Sequence, residues 1–202
     1  CRGLVPNDWT YGELLGQLRP GATFAWGLFA EHEVVAAEGL VGGTDGSGGA
    51  QGSDSRLRRV GWAIVLLTKE GIPVGWKAGG LEDDQMLQTV PRSELRAAAE
   101  FAKATSGKID CWTDCSYVHK GLSRLEARCK HGQPHADLWR QLRGSTRTGL
   151  QFRKVKAHAC AGHFATEETN GLAYVVNEVA DTVANVAALG SQYSSQAVEQ
   201  VQ

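Results

Sequence analysis

Residues 58–67, RRVGWAIVLL, decide how the rest of the chain is read. The stretch is apolar and branched or aromatic at most positions and stops at Thr68, Lys69 and Glu70, which predicts a strand. Upstream, residues 39–50 (GLVGGTDGSGGA) run from apolar into Gly-rich sequence; downstream, residues 72–80 (IPVGWKAGG) carry Ile72, Val74 and Trp76 before Gly79 and Gly80. Three consecutive strands joined by turns follow from this pattern. A helix is expected after Pro91, with Ser93 or a neighbour as its cap, Leu95, Ala98, Ala99 and Ala102 on one face, and Gly107 past its end. Residues 109–114 (IDCWTD) predict a short strand, Ser116 to Leu122 a helical turn, and His135 to Arg147 a helix. In that helix Leu138, Trp139 and Leu142 face inward, while Arg140, Arg143 and Arg147 form a basic stripe. A strand over 151–157 and a helix over 172–189, with Val176, Val179, Ala180, Val183 and Ala187 inward, complete the order. Strands, then helix, strand, helices, strand and helix predict an α/β fold: a mixed sheet covered by helices.

The chain of 202 residues suits one domain with appendages: a lead-in over 1–38, a domain over 39–190 and a polar tail over 191–202. With 42% hydrophobic and 21% charged residues it can bury a core, and no uninterrupted apolar run approaches the ~18 residues of a membrane span. The first residue is Cys1, with no signal-peptide pattern, and the sequence reads as a piece of a longer polypeptide. Five cysteines without paired spacing point away from a disulfide framework and towards an intracellular setting, cytoplasmic or nuclear. The net charge of −1 conceals an asymmetry: between Lys120 and Lys156 ten Lys or Arg face two acids, so that segment is +8 and the remainder −9. A basic segment of this kind fits a polyanion, although a solvated polar face has the same composition.

Four of the 22 acidic residues stand where strand ends and helix faces would gather them. Asp45 ends the first strand, followed by Gly46, Gly48 and Gly49, which admit close approach of a ligand; a flexible hairpin reads the same way. DGSGG differs in order from the GDSGG string of serine proteases, so Ser47 is not such a nucleophile. Glu94 lies in the first turn of a helix, where interaction with the helix dipole is its plainer role. Asp114 ends a mostly apolar strand, where a charge is costly unless paired or ligating, and capping the next helix is the competing role. Asp181 lies inside an apolar helix, on one face with Asn177, and solvation alone explains it poorly.

In five places the chain resembles the ribonuclease H family: TDGSGG, SELRAAAEFA, WTDCSYVHKGL, the pair HADLWRQL and FRKVKAHA, and NEVAD, in the family's order over about residues 39–189. The resemblance implies a five-stranded mixed sheet, three antiparallel strands then two parallel, flanked by helices. It implies a ribonuclease that hydrolyses the RNA strand of RNA·DNA hybrids, with Asp45, Glu94, Asp114 and Asp181 ligating two Mg²⁺ or Mn²⁺ and with 5′-phosphate and 3′-hydroxyl products. His158 matches the family's mobile histidine, but the 23 positions from His158 to Asp181 exceed the usual loop and include His163 as an alternative. Gly46, Ser47, Gly48 and Asn177 match positions that meet the hybrid, and Lys120, Arg124, Arg140, Arg143 and Arg147 are expected to grip phosphates. The non-Met start fits a domain of a retroelement polyprotein with an upstream reverse transcriptase. Two other readings stand beside this one: a zinc site drawing on Cys111, Cys115, His158, Cys160 and His163, whose spacing lacks the usual pairs, and a binding module of the same fold without activity.

Overall fold

The computed structural model describes residues 22–81, 87–156 and 171–199. Its main sheet has six strands: β1 (Thr23–Gly27), β3 (Val41–Ser47), β4 (Gly61–Leu67), β5 (Pro73–Gly80), β7 (Ile109–Thr113) and β8 (Leu150–Lys154). They lie in the order β1-β5-β4-β3-β7-β8. The first three junctions in that order are antiparallel, and β3 with β7 and β7 with β8 are parallel. The three antiparallel and two parallel strands expected from the sequence are all present; β1 is the addition. It was hidden because TFAWG is short and has Gly27 at its end, and what holds it is its pairing with β5 and the edge contact of Phe24 with Trp76, 5.4 Å between ring centres. Thus residues counted as a lead-in extend the domain, as does β2 (Val35–Ala36), which pairs in parallel with β6 (Thr105–Ser106).

Strand β4 is buried at all seven positions because helices cover both faces of the sheet. Trp62, Ile64 and Leu66 pack with Ala97 and Phe101 of α2 (Val90–Ala104), and with Phe29 of α1 (Leu28–Glu31). Ala63, Val65 and Leu67 pack with Val176, Val179, Ala180, Val183 and Ala184 of α6 (Gly171–Gly190). By length and composition α6 would pass for a membrane span, but these residues are spent on the sheet. The outer face of α2, through Leu95, Ala98, Ala99 and Ala102, meets Val118 of α3 (Ser116–Leu122) and Leu138, Trp139 and Leu142 of α5 (Ala136–Ser145). Short helices α4 (Leu125–Arg128) and α7 (Ser195–Glu199) complete the described set.

Helix α2 begins earlier than the sequence suggests. Its cap position is Thr89, and Pro91 sits in the first turn, where a missing N–H costs nothing. Ser93 is therefore inside the helix, its hydroxyl donating to the Val90 carbonyl at 2.9 Å.

Candidate active site

The parallel strands β3 and β7 end side by side, which sets Asp45 near the end of β3 and Asp114 just past β7 at the same edge of the sheet. Glu94 arrives from one face and Asp181 from the other, and glycine makes both approaches possible. A Cβ on Gly46 would lie 2.5 Å from the Glu94 backbone nitrogen and 2.5 Å from Ser93 Oγ, so only glycine lets the first turn of α2 rest on β3. On the opposite face a Cβ on Gly61 would lie 2.4 Å from the Ala184 carbonyl oxygen, which lets α6 press on the sheet beside Asp181.

The outcome is a dense acidic cluster. One carboxylate oxygen each from Asp45, Glu94 and Asp114 lies within 4.8 Å of the others. Asp45 and Glu94 are 5% and 6% exposed, so water does little to offset their charge. Burial, then the charges of Asp114 and Asp181, hold Asp45 well above the usual carboxylate range; a hydrogen bond shared with Asp181 adds to this, and one from the Gly46 N–H opposes it. Burial, followed by Asp45, Asp114 and Asp181, likewise raises Glu94, with Lys154 of β8 pulling it back. Glu94 Oε2 is buried without a hydrogen-bond partner. Three of the predicted carboxylates therefore meet at a single place, and the fourth, Asp181, acts on both Asp45 and Glu94 there.

A family model described as RNase H matches residues 42–189, most of the chain and every element that carries these carboxylates. The chain belongs to the RNase H family. The family is one of ribonuclease H hydrolases generally dependent on divalent metal, and this chain has an acidic cluster able to hold such a metal. Similar solved structures include the protease-reverse transcriptase of prototype foamy virus, 18% identical over 75% of this chain and 21% of that one, with a TM-score of 0.54. A foamy viral protease-reverse transcriptase in complex with RNA/DNA hybrid is 20% identical over 75% of this chain and 20% of that one, TM-score 0.53. The solution structure of the PFV RNase H domain is 18% identical over 74% of this chain and 94% of that one, TM-score 0.53. The chain thus spans about a fifth of the viral protease-reverse transcriptases and nearly all of the isolated viral domain, and at these identities the likeness is one of fold. No curated protein matches it.

The RNase H elements distribute the other expected site residues unevenly. Gly46, Ser47 and Gly48 adjoin Asp45, and Asn177 is on α6 one turn before Asp181, 4% exposed, with its Oδ1 unpartnered. Lys120 and Arg124 are exposed in and just after α3, the helix that follows Asp114. α5 ends at Ser145, so Arg147 lies past it, and the expected basic stripe is engaged elsewhere. Arg140 donates to the Cys129 carbonyl at 3.2 Å, and Arg143 pairs with Glu126 at 3.0 Å. Arg147 donates to the Ala102 and Gly107 carbonyls and to Thr105 Oγ1, which satisfies the C-terminal end of α2. Ala102 is eight residues beyond Glu94, so Arg147 grips α2 about 12 Å along the helix from the carboxylates. Helical periodicity shows which side chains share a face, but not that neighbouring carbonyls claim them.

His158, His163 and Cys160 lie outside the described residues. Among the described residues, the cluster of possible metal ligands is all oxygen, and the two cysteines of the zinc reading that are described hold their protons: burial raises Cys111, and burial with Glu94 nearby pushes Cys115 up to about 11. Two residues near the cluster escaped sequence reading. Lys154 is brought there by its register opposite Thr113, and Asn185 by standing one turn beyond Asp181. The second was open to discovery from the i, i+4 spacing alone.

Proposed function

We propose that this chain hydrolyses the RNA strand of RNA·DNA hybrids at the cluster of Asp45, Glu94, Asp114 and Asp181, leaving 5′-phosphate and 3′-hydroxyl ends. The observation that carries the reading is the convergence of three carboxylate oxygens within 4.8 Å of one another, with Asp181 against Asp45 and Lys154 the cation that acts on Glu94 among the described residues. Such a group is tolerable to a fold when protons or cations offset it, and the unpartnered Glu94 Oε2 is a ligand atom without another task. Oxygen donors of this kind suit Mg²⁺ or Mn²⁺, and the four carboxylates would hold two ions. Bound ions of this class lower the pKa of water and stabilise charge on a leaving oxygen. The chain's own part is placement. Asp45 and Asp114 sit on adjacent parallel strands, Glu94 is pinned by the contact of α2 with Gly46, and Asp181 rides on the helix buried against the sheet. His158, outside the described residues, is assigned to proton transfer by its match to the family's histidine, a task suited to imidazole. The Gly46 to Gly48 segment and Asn177 face the hybrid, while Lys120 and Arg124 contact phosphates. The chain acts as one RNase H domain of a longer polypeptide that includes a reverse transcriptase.

The test is incubation of the purified chain with labelled RNA·DNA hybrid, in Mg²⁺ and in EDTA, with end-group analysis of the products. Cleavage of the RNA strand only, abolished by EDTA, is the expected result. Retention of hybrid binding without cleavage in either condition would leave a binding module. His158→Ala is expected to slow turnover, and a larger loss in His163→Ala would transfer the role to His163.

A further inference from the structure

Asn185 lies one turn beyond Asp181 on α6, and the two ends of its amide have different partners. Its Nδ2 donates to Asp181 Oδ1 at 3.1 Å, and its Oδ1 accepts from Ser47 Oγ at 2.5 Å. Ser47 Oγ also receives the Gly49 N–H at 3.3 Å. Ser47 is two residues from Asp45 on the same face of β3, so the chain of bonds runs from a carboxylate of the site to the Gly-rich segment beside it.

The amide presents its NH₂ group to Asp181 and its oxygen to Ser47. An amide oxygen only accepts, which commits the Ser47 hydroxyl proton to Asn185. Of the two Ser47 lone pairs, one meets the Gly49 N–H. The remaining capacity of Ser47 is to accept, and a group that presents a hydroxyl donor is its complement.

We infer that Asn185 is a positioning residue that ties Asp181 to Ser47 and holds the Ser47 hydroxyl as an acceptor for a ribose 2′-hydroxyl of the RNA strand. The inference rests on the proposed action on hybrids. Deoxyribose has no donor at this place, so the acceptor favours RNA over DNA, whereas a freely rotating serine hydroxyl would also serve other partners. Asn185 itself is exposed on the helix surface, so its replacement removes the two hydrogen bonds without opening the core.

The experiment measures binding rather than turnover. Fluorescence anisotropy in Mg²⁺-free buffer, in an Asp45→Asn background, compares an RNA·DNA hybrid with duplex DNA of the same sequence. The background protein is expected to prefer the hybrid. Ser47→Ala and Asn185→Ala should each reduce that preference by about threefold to tenfold, the loss of one net hydrogen bond, and their combination should reduce it no further. Asn185→Asp is the rescue: it still accepts from Ser47, so it should lower affinity for both duplexes through its charge and keep their ratio. Thermal melts establish that each variant is folded. Full preference in Asn185→Ala, additive losses in the combination, or loss of the ratio in Asn185→Asp overturns the inference alone. Absence of any hybrid preference in the background protein overturns it together with the proposed function.

Discussion

The two ends of α2 handle charge in opposite ways. At the first turn, Glu94 joins Asp45, Asp114 and Asp181, buried and mutually repelling, with an oxygen left unpartnered. At the last turn, Arg147 is bound to three oxygens of the chain, and its neighbours on α5 have likewise found a carbonyl or a carboxylate. The fold gives the guanidinium of Arg147 several partners of its own and leaves the anionic cluster unresolved. A charge already satisfied by the protein is structure; a charge left costly is available for a ligand.

The sharpest way to break this contrast is to neutralise the anionic end. Asp45→Asn and Asp114→Asn should each reduce hybrid cleavage to background in a gel assay while binding persists, and Asp45→Asn should raise the Tm of the metal-free protein by a few degrees, because about 1 kcal/mol of relieved repulsion shifts a protein of this size by ~2–4 °C. A lowered Tm would mean the cluster is not strained. Next in size is Gly46→Ala, whose methyl group must displace α2 from β3: overpacking should cost about 1–3 kcal/mol in denaturant unfolding, and the displaced Glu94 should cost up to about a hundredfold in cleavage rate. Unchanged kinetics would show that the close approach is not what places Glu94.

A pH series tests the same end without mutation. Because the folded state raises Asp45 and Glu94 above their unfolded values, it binds more protons than the unfolded state between the ordinary carboxylate range and the raised values. Metal-free stability should therefore be highest below that window and fall as pH rises through it. Mg²⁺, which takes over from the protons, should raise Tm more at the alkaline end of the series than at the acid end. Increments in thermal melts that do not grow with pH anywhere above the ordinary carboxylate range would contradict the raised values. At the cationic end, Arg147→Ala should cost about 1–3 kcal/mol, since it strips partners from a helix terminus, without changing the salt dependence of hybrid affinity. Smallest of all, Arg143→Ala breaks an exposed pair with Glu126 and should change stability by less than about 0.5 kcal/mol.

What could be read in the sequence follows from how local its causes are. The buried run of β4, the alanine face of α2 and the apolar side of α6 are periodic patterns, and each element lies within a few residues of its expected range. Asp114 and Asp181 were legible because each breaks such a pattern: an acid at the end of an apolar strand or within an apolar helix has to be explained. Asp45 and Glu94 have plainer local readings, a Gly-rich turn and a helix first turn, and were singled out by the resemblance to the family. β1 was not legible, since five residues with Phe24 half-buried and Trp26 exposed become a strand only through the edge that β5 offers. Nor were the partners of Arg140, Arg143 and Arg147, because a guanidinium reaches carbonyls from segments 11, 17 and 45 residues away, separations that no helical repeat encodes.

The sixth strand also bears on where the domain can be cut. β1 covers the outer hydrogen-bonding edge of β5, and Phe24 shields Trp76 there. A recombinant fragment trimmed to begin at residue 39 would lay bare a row of backbone donors and acceptors beside an indole, an adhesive border that invites self-association. Solubility of such a fragment is therefore expected to be poorer than that of one retaining residues from Ala22 onward, although every carboxylate is present in both.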